Sequence, residues 1–252
     1  MGSKTIEELS QFDLGVRVIG QWGARLPWEV WMPMHLRFKL AGIALTLGGL
    51  IAGTCHIFSY ESSAEVTPVA NFACFSEPIH LVLFASLVVV LLGWSEHHSL
   101  QSPDSEIMQS VAFVCLFLGI LCGDLLHCIL EFSVFPVLGS MVPYALPGIA
   151  QATYRSAALE NLIWGGQCLM FLGGLATAMS ICRDRFLPLW AAASFTVSAA
   201  LLGLGLFPQL SSAVGAASVP AFYISMAVLG VSVLCSQRAS KGKESSAIAA
   251  AG

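Results

Sequence analysis

The sequence predicts an all-α membrane protein, a polytopic bundle of six transmembrane helices with both termini in the cytoplasm. Three observations carry this. First, 56% of the 252 residues are hydrophobic and only 10% are charged, with a mean hydropathy of +0.79, whereas soluble domains carry roughly 25% charged residues. Second, six stretches are long and apolar enough for the ~20 residues a helix needs to cross a bilayer: 38–59, 78–96, 108–133, 159–182, 187–206 and 217–236. Third, of the 11 Lys and Arg, only Arg155 falls on the side opposite Lys4, Arg17, Arg25, Arg37, Lys39, Arg183, Arg185, Arg238, Lys241 and Lys243. The excess of basic residues marks the cytoplasmic face. Losing or adding one span would scatter these residues over both sides, so their distribution also supports the count of six.

The elements follow in order within a single integral membrane domain, 1–252. Residues 1–36 are read as a cytoplasmic or interfacial segment. There, 6–19 suits a short amphipathic surface helix, and Trp22, Trp28 and Trp31 with Pro27 and Pro33 suit the headgroup level. The start is polar and acidic, without a basic region followed by an early apolar core, so the first span is expected to act as its own signal anchor. Gly48, Gly49, Gly53, Gly165, Gly166, Gly173, Gly174, Gly203 and Gly205 are expected to let helices approach closely. The last two spans are divided by Phe207-Pro208-Gln209, and residues 237–252, rich in Ser, Lys and Ala, are expected to be disordered. The endoplasmic reticulum, or the inner membrane in a bacterium, is the expected location.

Charge and cysteine usage exclude several classes. A net charge of −4 without a basic tract argues against nucleic acid, and the eight cysteines show neither a C-x-x-C pair nor zinc spacing. Most should behave as small buried apolar groups. Cys55 and Cys74 lie near a common surface, where a disulfide is open. Glu96-His97-His98, near Asp104 and Glu106, reads as a solvated turn.

The most informative stretch is 118–135, where Asp124, His127 and Glu131 interrupt an apolar run at spacings of three and four. These spacings put all three on one helix face. A charge at bilayer depth costs ~2.5 kcal/mol or more, so such groups are retained where they face protein or water. His56 and Glu61 end the first span at the same side, Glu77 and His80 open the second, and Glu160 opens the fourth. A shared chamber in the non-cytoplasmic half of spans one to four is therefore expected. The candidate catalytic residues are Asp124, His127, Glu131 and Glu160, and the candidate substrate-binding residues are His56, Glu77, His80, Phe132 and Trp164. Neither a metal nor a cofactor is expected. A haem between two of His56, His80 and His127 is set aside because carboxylates crowd the same level.

Crowded, buried carboxyls hold a proton near neutral pH and can deliver it. In an apolar chamber this suits protonation of an alkene or epoxide in a lipophilic prenyl, terpenoid or sterol-like substrate. Asp124 or Glu131 would be the acid, His127 would relay the proton, Glu160 would act as base or cation stabiliser, and aromatic faces such as Phe132, Phe135, Tyr144 and Trp164 would add to the stabilisation of a cation. The alternatives are a proton-coupled transporter and an accessory subunit that docks a partner through spans five and six. The expected partners are membrane lipid and other enzymes of a biosynthetic route.

His127-Cys-Ile-Leu-Glu131, followed by Leu159-Glu160-Asn161-Leu-Ile-Trp164-Gly-Gly, resembles the His-x-x-x-Glu helix and the later Glu-bearing helix of emopamil-binding sterol isomerases. That resemblance implies a proton shuttle on a sterol double bond by His127, Glu131 and Glu160, although that fold has fewer spans. In general plan the chain is also similar to the integral membrane terpene cyclases of fungal meroterpenoid pathways, which start cyclisation with acidic residues in a helical bundle. Arg37-Phe-Lys-Leu-Ala-Gly-Ile and Leu187-Pro188-Leu-Trp190-Ala-Ala resemble segments of bacterial six-span proteins of unknown role.

Overall fold

The computed structural model describes residues 33–63, 77–99, 106–142, 144–184, 187–207 and 212–251, and among them there is helix and no strand. The chain divides into two units, Met1–Arg37 and Phe38–Gly252. The expected surface helix at 6–19, Trp22, Pro27, Trp28, Trp31, Cys74 and Asp104 lie outside the described residues.

The elements are α1 (Met34–Ser63), α2 (Glu77–Ser99), α3 (Glu106–Ile120), the π-helical turn π1 (Leu121–Leu125), α4 (Leu126–Ile129), a second π turn π2 (Leu130–Val134), α5 (Phe135–Met141), α6 (Leu146–Tyr154), α7 (Ala157–Asp184), α8 (Leu189–Gly205) and α9 (Ser212–Ala251). Elements α3 to α5 form one continuous rod. Five helical runs are long and apolar enough to cross a membrane: Met34–Phe58, Pro78–His98, Ile107–Met141, Ala157–Arg183 and Ala217–Ser236. The chain thus has the make-up of a multi-pass membrane protein. All six expected stretches are helical. However, α8 has only 17 residues, roughly 25 Å of helix against the ~30 Å of a hydrocarbon core.

Differences from expectation have local causes. The third rod runs eight residues past 133 to Met141, because Pro136 sits in the first turn of α5, where its fixed φ is compatible with a helix. α7 starts at Ala157 because Ser156 caps it, its Oγ accepting from Leu159 N–H at 3.4 Å. The segment after Ser236, expected to be disordered, continues as helix to Ala251, in keeping with its Ala, Lys and Glu content.

Neighbouring helices meet largely through small residues, the rule when lipid supplies no hydrophobic drive between helices. Gly48 on α1 faces Ser86 and Val90 on α2, and Gly93 on α2 faces Ala44 and Leu45. Phe84 on α2 meets Phe132 on π2. On the third rod Gly119 lies against Met170 of α7, and Gly123 against Gly166. Gly174 on α7 lies against Ala199 on α8, and Gly203 on α8 against Phe171. Ser225 Oγ on α9 donates to Ser194 O on α8 at 3.0 Å, and Gly230 on α9 abuts Gly42 and Thr46 of α1. The helices α1, α2, the third rod, α7, α8 and α9 thereby close a circuit of neighbours. Gly165 alone among the glycines expected at interfaces meets nothing.

Candidate functional site

Asp124 is built into the third rod at a place where the helix is not α-helical. In π1 the N–H of Leu126 reaches back five residues to Leu121 O, and in π2 the N–H of Phe135 reaches Leu130 O. Each π turn adds one residue to the helical repeat, and such turns recur at functional sites. Pro136 explains π2, since it has no N–H for Phe132 O and its ring displaces that carbonyl. Asp124 lies in π1 and Glu131 in π2, and they are 8% and 6% exposed. The residue preceding Asp124 is Gly123, whose lack of a side chain lets α7 approach. A Cβ on Gly166 would stand 2.5 Å from Gly123 N.

The Asp124 carboxyl is held from the opposite side of the circuit. Tyr223 on α9, fully buried, donates its hydroxyl to Asp124 Oδ2. His56 on α1 stacks on the Tyr223 ring, with centroids 5.3 Å apart and planes 7° apart. Its Nε2 lies 3.7 Å from the same Asp124 oxygen, is buried, and makes no hydrogen bond. That separation is an ion-pair distance when the imidazole is protonated. α1 can bring His56 this close because Gly49 lies against the Tyr223 carbonyl and Gly53 against that of Pro220, so α1 and α9 touch at backbone level.

His80 on α2 is buried and meets His127 on α4 edge to face, with centroids 5.4 Å apart. It also stands close enough to His56 for the two rings to interact electrostatically. Cys128, buried, stands within electrostatic reach of Asp124, Glu131 and Cys55. The result is a set of six proton-bearing side chains, Tyr223, Asp124, His56, His80, His127 and Glu131, contributed by α1, α2, the third rod and α9. In hydrocarbon such groups must be satisfied by one another. Phe84 and Phe132, edge to face at 5.2 Å, adjoin the set. Among the described residues, no group of three or more His, Cys, Asp or Glu has an arrangement that holds a metal ion.

The structure brings together His56, His80, Asp124, His127, Glu131 and Phe132 of the residues expected at the site. It does not bring in Glu160 or Trp164. α7 runs antiparallel to the third rod, so Glu160, six residues before Gly166, stands about 9 Å from that contact, level with Ile129. Its depth agrees with expectation, yet its side chain is exposed. Trp164 is 55% exposed and lines an open apolar groove of about 680 Å³ with Cys168, Phe171, Leu172, Gly203 and Phe207 between α7 and α8. Tyr144 is exposed, and Phe135 is buried. The side chains of Glu61 and Glu77 lie outside the described residues, and of the Cys55–Cys74 pair only Cys55 is described.

Sequence reasoning missed Tyr223. It lies in the sixth span, outside the four expected to form the chamber, and its signal is a lone phenol in the second turn after Ala217 with Pro220 one turn before it. The reading of 96–98 as a solvated turn is overturned, because His97 is 2% exposed and His98 stacks on Phe113. α2 remains helical to Ser99, which carries both imidazoles back into the bundle. No protein-family model matches this chain, and no curated protein or solved structure is found to be similar to it.

Proposed function

We propose that this chain crosses the membrane six times, with α8 as the sixth crossing and both ends in the cytoplasm, and that it is an acid–base enzyme acting on a lipophilic substrate. Its site lies among α1, α2, the third rod and α9. The observation that carries the reading is the Asp124 carboxyl, buried at membrane depth, bonded by the Tyr223 hydroxyl and faced by His56. A buried carboxyl with a phenol and an imidazole on one oxygen is equipped to take and return a proton. It is poorly explained as helix glue, for which a neutral amide would serve at lower desolvation cost.

In the isomerase or cyclase reaction Asp124, protonated, gives its proton to a double bond or epoxide of a prenyl, terpenoid or sterol-like molecule. The cation that results faces Phe84, Phe132 and Tyr223, whose ring faces attract positive charge. A proton then leaves to His127, one turn from Glu131 and in contact with His80, and Glu131 takes the role of final base assigned from sequence to Glu160. The membrane is the endoplasmic reticulum in a eukaryote or the inner membrane in a bacterium.

The test is turnover in proteoliposomes prepared in D₂O and supplied with a panel of prenyl epoxides and sterol alkenes. Wild type is expected to yield product carrying one deuterium, and Asp124→Asn, folded to the same extent, to yield none. Equal turnover in Asp124→Asn and Glu131→Gln would remove the reading. A second reading, proton-coupled transport, is favoured by one observation: Pro220 interrupts the hydrogen bonding of α9 one turn before Tyr223 while π1 interrupts that of the third rod at Asp124. Broken helices meeting at a buried site are a transporter feature. Proton flux driven by a substrate gradient, without product, would select it.

A further inference from the structure

The end of α2 remote from His80 holds a second set of polar side chains withdrawn from the surface. Trp94 is 3% exposed, His97 lies in the next turn with its ring centroid 5.6 Å away, and Gln109 on α3 is buried as well. His98 lies flat on Phe113 of α3, with centroids 4.7 Å apart and planes 13° apart, and Phe113 in turn meets Phe117 at 5.8 Å. Between this set and His80 the buried side chains of α2 are Leu83, Ser86, Leu87, Val90 and Leu91. Ser86, the one polar member, returns its hydroxyl to Leu83 O at 2.7 Å, so the layer is apolar apart from one self-satisfied hydroxyl over most of the roughly 25 Å of helix separating His80 from His97. This dry layer divides the two polar sets, so the second is not an extension of the first.

One atom of this set points to a ligand. The indole Nε1 of Trp94 is buried and has no hydrogen-bond acceptor. An indole N–H only donates, and leaving a buried donor unmet is unfavourable where a phenylalanine would fill the same volume without it. The group that completes Trp94 is therefore an acceptor. Glu96 in the same helical turn disfavours an anion, and Trp94 belongs to the apolar core against which Met108, Phe113 and Phe117 of α3 pack. A carbonyl oxygen on an apolar body meets both conditions. We propose that Trp94, with His97 and Gln109, binds the carbonyl group of a lipophilic molecule at the α2–α3 end of the bundle, with the His98–Phe113 stack as its aromatic wall. Two sources supply this chemistry: a lipid-soluble quinone and the ester carbonyl of a membrane phospholipid. The inference is independent of the acid–base reading.

The experiment places wild type, Trp94→Phe and Gln109→Leu in nanodiscs of diester or of diether phosphatidylcholine, the latter lacking carbonyls. Equilibrium dialysis of tritiated duroquinone and thermal melting by circular dichroism are then measured. If the source is a quinone, wild type is expected to bind duroquinone saturably in diether discs, with Kd raised at least tenfold in Trp94→Phe, while Trp164→Phe binds as wild type. If the source is the lipid ester, wild type is expected to melt higher in diester than in diether discs and Trp94→Phe to melt equally in both. Trp94→Phe and Gln109→Leu matching wild type in duroquinone affinity and in both lipids would overturn the proposal. So would a Trp94→Phe variant that melts higher than wild type in every disc and a wild type that binds no duroquinone.

Discussion

The third rod is two helices of different character joined end to end, and the contrast shows where this protein keeps its buried acids. Over Glu106–Ile120 the helix is regular, Ala112, Leu116 and Ile120 are buried at intervals of four, and its contact with α7 is steric, through Gly119, Gly173 and Leu116. Over Leu121–Val134 two π turns interrupt the repeat, and the buried side chains include Asp124 and Glu131. On this rod the regular helix delivers mainly packing, with Gln109 its one buried polar side chain among the described residues, whereas the irregular helix delivers two buried acids.

The sharpest way to break this contrast is to delete one residue from each half. Removing Cys115 from α3 turns everything beyond it by about 100°, which carries Asp124 and Glu131 toward lipid at ~2.5 kcal/mol or more per charge. Removing Cys122 lets π1 close into an ordinary α turn, so the packed surfaces on both sides keep their facing. The Cys115 deletion is expected to give no monodisperse protein by size-exclusion chromatography. The Cys122 deletion is expected to elute as wild type. Loss of both would mean that π1 is no absorbed insertion.

Next in size is the effect of Asp124→Asn on proton transfer. A positioned acid or base contributes about 10²- to 10⁴-fold, so turnover in the deuterium assay is expected to fall by at least a hundredfold while the amide oxygen still accepts from Tyr223. Tyr223→Phe leaves Asp124 buried without that donor and is expected to lower stability by about 1–3 kcal/mol. The double variant separates the two effects. A coupling energy near zero in the cycle would mean that the phenol and the carboxyl act independently.

A smaller contrast lies on α7, between adjacent glycines. A Cβ on Gly166 meets the backbone of Gly123 at 2.5 and 2.7 Å, where neither side can yield, whereas a Cβ on Gly165 meets nothing within 4 Å. Gly166→Ala is expected to lower thermal stability by about 1–3 kcal/mol, the range for overpacking. Gly165→Ala is expected to melt within a degree of wild type. Equal melting of the two would show that α7 and π1 are not in backbone contact.

Much of this was legible in the sequence. Apolar runs dominate a chain in a membrane because the backbone must satisfy itself there, so all six stretches are helical. The face carrying Asp124, His127 and Glu131 follows from their spacing. His56 and His80 join them because residues at the facing ends of adjacent antiparallel helices share a level. What remained hidden depends on rotation about a helix axis rather than on depth. Trp164 and Glu160 stand at the right level and turn outward, whereas His97 stands at a helix end and turns inward. An apolar helix without polar contrast gives no signal of which face meets protein, and α7 is of that kind. Nothing in 121–125 marks a π turn, while Pro136 marks the one at 130–134.

Glu160 makes the smallest expected effect and the finest test of that distinction between depth and rotation. It occupies the first turn of α7, where a carboxylate gains about 0.3–1 kcal/mol from the helix dipole, and being exposed it needs no partner. Glu160→Gln is therefore expected to shift melting by no more than that amount and to leave turnover within twofold of wild type. Glu131→Gln, at the same level on the facing rod but 6% exposed, is expected to lower turnover by at least tenfold in the same assay. A reversal of the two would mean that α7 presents its acid to the substrate and that the base of the reaction lies on the fourth span, as the spacing of Glu160 along the sequence first suggested.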